Sequence, residues 1–317
     1  MKIFLTEKIH ADAVAMMGEH VTVVQGTSVD PDEIVRQAQD CDAILVRSAR
    51  ITAEMMDKLP KLRAVAKHGI GVDNIDVKGA TERGILVVNA PFANVNAVAE
   101  HGLALLMAAS KFIPQLDRMT REGGFARRNE FVTTELAGKT IGLVGLGRIS
   151  SLLAKKLSGF SVRILASDPF VTAERAKELG VELVDLDTVL VESDFVSLHT
   201  PLLDSTRHMM GREQFAQMKK TAWLINVSRG PVVDEEALIE ALKAKEIAGA
   251  ALDVFEQEPP AADNALFALD NVVLSPHNAA LSDNALRAMA MDSAQGLVDY
   301  LEGRRPEFPV NREVLEK

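Results

Sequence analysis

The sequence predicts an α/β protein built on two open, parallel sheets. Short runs rich in Val, Ile and Leu alternate with helical stretches along nearly the whole chain, which is typical of parallel strands joined by helices. Aromatic residues make up only 4% of the sequence, so the core must be mostly aliphatic, as in strands buried on both faces. The 317 residues are comfortable for two domains.

The first series of strands and helices begins at the N-terminus. Asp30 followed by Pro31 is typical of a helix start, because Asp caps free backbone N–H groups and Pro suits the first helical position. The predicted strands are Lys2–Leu5, Val21–Val24, Ala43–Val46, Ala64–Ala66 and Leu86–Val88. The helices predicted with them are Ala11–Met17, Pro31–Gln39, Thr52–Leu59 and Asp76–Arg83.

A second series follows a long apolar-rich helix, Asn96–Ala109, and a polar, Gly-containing stretch, Arg121–Lys139. Its predicted strands are Thr140–Val144, Val162–Ala166, Val181–Leu183, Phe195–Leu198, Trp223–Asn226, Gly249–Asp253 and Val272–Leu274. Its helices include Ile149–Leu157, Glu213–Met218 and Asp234–Lys243.

The last predicted helix, Asp283–Leu301, has no sheet of its own. We therefore expect it to return to the N-terminal domain. The sequence thus predicts one domain from residues 1–96 and 284–317, with a second domain, 97–283, inserted into it. No further domain is expected after residue 317.

Composition disfavours several classes of partner. The formal net charge of −10 argues against binding to nucleic acid or to an anionic membrane surface. The single cysteine, Cys41, excludes an intrachain disulfide and a multi-thiolate metal site, and we expect no bound metal. The apolar run at the N-terminus is too short for a signal peptide, and no run approaches the length of a membrane span. A cytoplasmic protein is expected.

A glycine-rich turn after the strand Thr140–Val144 predicts a dinucleotide site. Gly145 permits a tight turn, and Gly147 lets the backbone approach a pyrophosphate at the start of the next helix. Ser150 stands where a third glycine is usual. Asp168 ends the next strand, 23 residues beyond Gly145, where such fingerprints have an acid about 20 residues on. Because that acid binds ribose hydroxyls and repels a 2′-phosphate, the pattern favours NAD over NADP.

Three polar residues follow strands of the second series. They are Arg229, Glu258 and His277, and the carboxyl ends of parallel strands form the ligand crevice of an open sheet. Arginine can hold a substrate carboxylate with two hydrogen bonds. Histidine can transfer a proton to or from a keto or alcohol oxygen, and a carboxylate on its other ring nitrogen fixes its tautomer. This set suits hydride transfer between a nicotinamide and a 2-keto acid.

With these residues the chain resembles the D-isomer-specific 2-hydroxyacid dehydrogenases, in particular the phosphoglycerate dehydrogenase-like branch. The resemblance covers nearly the whole chain in family order. It rests on the stretches Gly71–Asp76, Ala80–Gly84, Val88–Pro91, Val98–His101, Gly142–Ile149, Leu198–Pro201, Ile225–Pro231, Ala251–Phe255 and Ser275–His277.

The resemblance implies roles for individual residues. Arg229, Glu258 and His277 match the family's catalytic arginine, glutamate and proton-relay histidine. It also implies two Rossmann-like or flavodoxin-like domains, and a homodimer joined through the cofactor domains by an arm, Phe112–Lys139. The positions matched to the cofactor are Gly145, Gly147, Arg148, Ile149, Asp168, His199, Thr200, Pro201, Val227, Ser228, Arg229, Asp253 and His277. The positions assigned to the substrate are Arg47, Ser48, His68, Ile70, Gly71, Arg229 and His277.

Departures from the pattern leave the substrate open. The Arg47-Ser48 pair of phosphoglycerate dehydrogenases is kept, but Arg50 replaces a threonine, and Lys67-His68 stands where small residues are common. The substrate could be 3-phosphoglycerate, hydroxypyruvate, glyoxylate or another small anionic acid. Two alternatives are a formate dehydrogenase, whose pattern has glutamine in place of Glu258, and an NAD-sensing transcriptional co-repressor.

Overall fold

The computed structural model describes residues 1–316, which form two compact units. One unit joins Met1–Val95 to the residues from Ala280 onward, and the other is the continuous segment Asn96–Ala279. Both contain a sheet in which all strands are parallel, so the predicted α/β class, with one domain inserted into the other, is confirmed. Among residues 1–316, no helix combines the length and the apolar character needed to cross a bilayer.

The discontinuous unit contains a five-stranded sheet. Its strands are β1 (Lys2–Leu5), β2 (Thr22–Gln25), β3 (Ala43–Val46), β4 (Ala64–Lys67) and β5 (Leu86–Val88). Its helices, numbered along the whole chain, are α1 (Ala11–Met17), α2 (Pro31–Ala38), α3 (Ala53–Asp57), α4 (Val77–Glu82) and α12 (Asp283–Leu301). The strand order β2-β1-β3-β4-β5 reverses direction between β1 and β3, and such a switch point is where open sheets of this type bind ligands.

Both faces of this sheet are buried, which explains its nearly continuous hydrophobic strands. Phe4 and Ile44 belong to a core shared with α2, α3 and α4. Their neighbours Ile3 and Leu45 point to the opposite face and pack with α1 and α12. Leu297 of α12 is fully buried there, so the last helix packs on the N-terminal sheet.

The continuous unit contains a seven-stranded sheet in the order β12-β11-β10-β9-β6-β7-β8. Its strands are β6 (Thr140–Val144), β7 (Arg163–Ser167), β8 (Glu182–Leu183), β9 (Phe195–Leu198), β10 (Trp223–Asn226), β11 (Gly249–Leu252) and β12 (Val272–Leu274). Its helices are α5 (Val95–Lys111), α6 (Ile113–Arg121), α7 (Arg148–Leu157), α8 (Ala173–Glu178), α9 (Leu186–Glu192), α10 (Arg212–Gln217) and α11 (Glu235–Ala244). The order reverses between β6 and β9, which is the arrangement of dinucleotide-binding sheets.

The structure adds helices that the sequence patterns did not indicate. α8 and α9 have six and seven residues, too few for a helical period to stand out, although Thr172 and Asp185 cap their first turns. The sequence predicts no helix or strand in the polar stretch Arg121–Lys139, but this stretch contains a 3-10 helix, Phe125–Glu130. β2 and β7 lie one residue later than predicted, because pairing with β1 and β6 fixes their registers.

Candidate active site

The turn after β6 has the backbone shape that a dinucleotide site requires. Gly145 has φ +90°, and a side chain there would approach the His199 carbonyl group to 3.1 Å. A Cβ at Gly147 would meet nothing within 4 Å, so the backbone is open to a close approach. Gly147 caps α7 without a side-chain hydrogen bond, which leaves the first N–H groups of the helix to a ligand. These features fit the pyrophosphate of a dinucleotide.

Asp168 lies beside this turn, directly after β7. Its Oδ2 accepts a hydrogen bond from the Leu146 amide at 2.8 Å, and its Oδ1 accepts one from the Phe170 amide at 2.8 Å. Each oxygen keeps a further lone pair, which a ribose hydroxyl could use. Ser150 is fully buried and its hydroxyl donates to the Gly147 carbonyl at 3.2 Å, so the small serine is accommodated at the third position of the motif.

The remaining predicted cofactor positions follow β6, β9 and β10. Arg148 and Ile149 form the first turn of α7, and Thr200 and Pro201 follow His199. Burial lowers the pKa of His199 to about 4, so the ring is neutral, and its Nε2 lies 2.9 Å from Ser197 Oγ.

The turn after β10 brings Arg229 to the same sheet edge. Val227 and Ser228 are buried, and the Ser228 amide and hydroxyl both donate to Asn226 Oδ1. Asn226 Nδ2 in turn donates to the Arg229 carbonyl at 3.0 Å, which fixes the arginine backbone. A Cβ at Gly230 would lie 1.7 Å from the Phe255 carbonyl oxygen, so only glycine lets this turn pass against the loop after β11.

Glu258 and His277 are in direct contact. His277 Nδ1 lies 2.7 Å from Glu258 Oε2, and Glu258 Oε1 accepts a hydrogen bond from the Phe255 amide at 3.1 Å. Burial raises the pKa of the Glu258 carboxyl, but the hydrogen bond and charge of His277, together with the charge of Arg229, bring it below its usual value. Glu258 is therefore ionised near neutral pH, and Nε2 is the ring nitrogen of His277 left for a reaction partner.

Asp253 holds the loop that carries His277. Its carboxylate, 1% exposed, accepts hydrogen bonds from the amides of Asn278 and Ala279 at 3.0 Å and from Ser275 Oγ at 2.6 Å. His101 Nε2 lies 3.3 Å from the same carboxylate. The amide of His277 donates to the Asp253 carbonyl at 2.7 Å, and these bonds stabilise the unusual φ of +48° at His277.

The sequence interpretation assigned Asp253 to the cofactor, and the structure shows the contacts of its carboxylate with the chain itself. The sequence interpretation did not identify His101 or Ser275 as residues that support the loop of His277. These two side chains are 174 residues apart, and no spacing rule connects them.

The predicted substrate positions of the discontinuous unit lie after β3 and β4. Arg47 and Ser48 follow β3 directly, and Ile70 and Gly71 follow β4. Ile70 is held by Asn89, whose Nδ2 donates to the Ile70 carbonyl at 2.7 Å.

His68 lies in the same turn after β4 and is 6% exposed. Burial, together with the nearby charge of Arg47, lowers the pKa of His68 to about 4. The ring of His68 is therefore neutral near pH 7.

Fold and site together define a two-domain, dinucleotide-binding protein. Residues 103–279 match the family model for the D-isomer specific 2-hydroxyacid dehydrogenase, NAD binding domain. The chain belongs to this family.

Curated relatives agree with the family assignment. The chain is 42% identical over 318 residues to a D-3-phosphoglycerate dehydrogenase of Archaeoglobus fulgidus, a match that covers 100% of this chain and 60% of that protein. It is 42% identical over 322 residues to a glyoxylate reductase of Korarchaeum cryptofilum, with 99% and 97% of the two chains covered. The chain thus spans about three fifths of the phosphoglycerate dehydrogenase and nearly all of the glyoxylate reductase.

Solved structures show the same fold. The crystal structure of D-lactate dehydrogenase with NAD+ from Lactobacillus jensenii superimposes with a TM-score of 0.80 at 31% identity, over 98% of this chain and 99% of the other.

Proposed function

We propose that this protein is an NAD-dependent oxidoreductase that interconverts a small anionic 2-hydroxy acid and its 2-keto acid. The observation that carries the proposal is the Glu258–His277 pair, at 2.7 Å, on the sheet edge that also bears Arg229 and the glycine-rich turn. Membership of the D-isomer specific 2-hydroxyacid dehydrogenase family supports the same reaction.

Each of the three residues has a distinct role. Arg229 holds the substrate carboxylate through two parallel N–H···O bonds. In reduction, His277 donates the proton on Nε2 to the keto oxygen, and in oxidation it removes the proton of the alcohol. The turn at Gly145 and Gly147, together with Asp168, would hold the nicotinamide cofactor, which when bound would supply or accept the hydride.

Glu258 fixes the tautomer of His277. Its ionised carboxylate accepts the Nδ1 proton, which leaves Nε2 as the nitrogen that can exchange a proton with the substrate. A glutamine at this position could not supply that charge, so the glutamate argues against the formate dehydrogenase alternative.

The open glycine turn and Asp168 support NAD as the cofactor. Asp168 is fixed at the turn by the Leu146 amide and offers its remaining lone pairs to ribose hydroxyls. The same negative charge disfavours the 2′-phosphate of NADP. For the substrate, we propose glyoxylate, hydroxypyruvate or 3-phosphoglycerate, since the relatives named above include both glyoxylate reductase and phosphoglycerate dehydrogenase.

We also propose a homodimer formed through the arm Phe112–Lys139. The arm exposes large apolar side chains: Ile113 is 55% exposed, Phe125 68% and Val132 85%. Such a surface is typical of protein contacts. Light scattering should give a mass near twice 34.4 kDa, and a monomer mass at micromolar concentration would contradict the dimer.

Oxidation of NADH with a panel of 2-keto acids tests the proposed reaction. The panel covers glyoxylate, hydroxypyruvate, phosphohydroxypyruvate and a bulkier anionic keto acid. We expect turnover of at least one. Tight binding of NADH without turnover of any would instead favour the NAD-sensing alternative.

A further inference from the structure

A carboxylate bridges the switch point of the five-stranded sheet. Glu7 follows β1, and its side chain reaches the turn after β3. Its Oε2 accepts a hydrogen bond from the Arg47 amide at 3.1 Å, and its Oε1 accepts from the Ser48 amide at 2.7 Å and from Ser48 Oγ at 2.5 Å. Thr6 Oγ1 donates to the same carboxylate. Four donors thus converge on one half-buried acid.

The carbonyl side of the same turn is held by a second set of groups. Lys67 Nζ donates to the Arg47 carbonyl at 2.5 Å and to Asn74 Oδ1 at 2.7 Å. Asn74 Nδ2 donates to the Ala49 carbonyl at 2.6 Å. The turn 47–49 is therefore fixed on its N–H side by Glu7 and on its carbonyl side by the Lys67–Asn74 pair.

Glu7 is ionised in this setting. Burial raises the pKa of its carboxyl, but the hydrogen bonds from Ser48, Thr6 and Arg47 outweigh it and lower that pKa. Hydrogen bonds to an ionised acceptor are about twice as strong as neutral ones, so this acid is a strong restraint on the N–H side of the turn. The hydroxyl and the amide of Ser48 both donate to Glu7 Oε1.

We propose that Glu7 is a positioning residue that fixes the Arg47–Ser48 backbone so that the Arg47 side chain is presented to substrate at the switch point. This inference rests on the proposed function and deepens it, because it identifies what sets the substrate-binding edge of the five-stranded sheet. Arg47 Nη1 donates to the Lys8 carbonyl at 3.0 Å, so the guanidinium lies beside the residue that follows Glu7. Glu7 itself touches no substrate.

Replacement of Glu7 by alanine, followed by rescue with a small carboxylate, tests the proposal. In Glu7→Ala, amide hydrogen exchange of the peptide containing Arg47 and Ser48 should accelerate, and millimolar acetate should slow it again by occupying the vacated acceptor position. With a 2-keto acid that the wild type reduces, KM should rise roughly tenfold, as for the loss of a charge-assisted hydrogen bond, while kcat and NADH affinity change little. Acetate should lower the KM of the variant but not of the wild type.

Asp30→Ala is the matched control, since Asp30 also accepts two backbone N–H groups in the same unit, at the start of α2. It should lower thermal stability without altering KM. If Glu7→Ala fails to fold, Glu7→Gln replaces it, because it keeps the size and one oxygen and should give a smaller change of the same kind.

The outcomes separate this inference from the proposed function. Failure of the wild type to reduce any 2-keto acid refutes the proposed function, and the exchange measurement then still decides whether Glu7 fixes the turn. Unchanged exchange in Glu7→Ala overturns the inference. Faster exchange with an unchanged KM in an active enzyme overturns the link from the turn to substrate.

Discussion

The carboxyl edges of the two sheets use acidic side chains in the same way but display different chemistry. In the seven-stranded sheet, Asp253 accepts the amides of Asn278 and Ala279. In the five-stranded sheet, Glu7 accepts the amides of Arg47 and Ser48. In both places a carboxylate fixes a turn by holding consecutive N–H groups.

The difference lies in what each turn carries. The turn fixed by Asp253 carries His277, which is 48% exposed and paired with a second acid, Glu258. In the five-stranded sheet the ammonium of Lys67, at the end of β4, donates to the Arg47 carbonyl of the turn that Glu7 fixes and to Asn74 Oδ1. The fixed turn of the seven-stranded sheet therefore keeps an accessible titratable side chain, whereas the fixed turn of the five-stranded sheet holds Arg47 and Ser48 in place.

The comparison predicts its largest effect at His277. His277→Ala should lower kcat/KM in both directions by roughly 10²–10⁴-fold, as is usual for the loss of a general acid–base, with NADH affinity unchanged. Steady-state kinetics and NADH fluorescence titration measure the two quantities. A loss no larger than that of Glu7→Ala would remove the distinction between the two edges.

The two arginines provide the next contrast. Arg229→Lys should lower kcat/KM by roughly 100-fold, because lysine cannot form the paired hydrogen bonds to a carboxylate. Arg47→Lys should lower kcat/KM by at most roughly tenfold, because Arg47 only assists the binding of substrate. The measurement is kcat/KM for the best keto acid in both variants, with NADH affinity as control. Equal losses would contradict the distinction between Arg229 and Arg47.

A pH profile sharpens the comparison of the two acids. Glu258→Gln removes the carboxylate that contacts His277 Nδ1 at 2.7 Å, so the basic limb of keto-acid reduction should move to lower pH. The acidic limb of alcohol oxidation, which needs the neutral ring, should move in the same direction. Glu7→Gln should leave both limbs in place. Superimposable profiles of the wild type and Glu258→Gln would show that Glu258 does not tune His277.

The smallest predicted effect concerns cofactor choice. Asp168 accepts one backbone amide on each oxygen and keeps lone pairs for a ligand. The carboxylate of Glu7 instead already accepts hydrogen bonds from Arg47, Ser48 and Thr6. Asp168→Ala should therefore lower the ratio of kcat/KM for NADH over NADPH by roughly tenfold, since the repulsion of a 2′-phosphate at a partly exposed site amounts to a few kcal/mol at most. Glu7→Ala should not change this ratio. A wild type that uses both cofactors equally would contradict the role of Asp168.

Most strands were predictable because each is a short aliphatic run bounded by polar, Gly or Pro residues. The strands β1, β3, β5, β6, β9, β10 and β12 have the bounds that the sequence predicts. The predicted position of the edge strand β2 was wrong by one residue, because its exposed ends, Thr22 and Gln25, weaken the hydrophobic pattern that indicates a strand.

By itself the sequence determined the α/β class, the glycine turn with Asp168, and the placement of Arg229, Glu258 and His277 after strands. These follow from local rules: side-chain periodicity, the freedom of glycine, and the convergence of parallel strand ends. Only the tertiary structure decided that Glu258 meets His277 Nδ1 and that Glu7 holds Ser48, 41 residues away. A hydrogen bond needs its two atoms placed within about 3 Å, and that depends on strand order, register and turn shape together, which no local pattern of residues records.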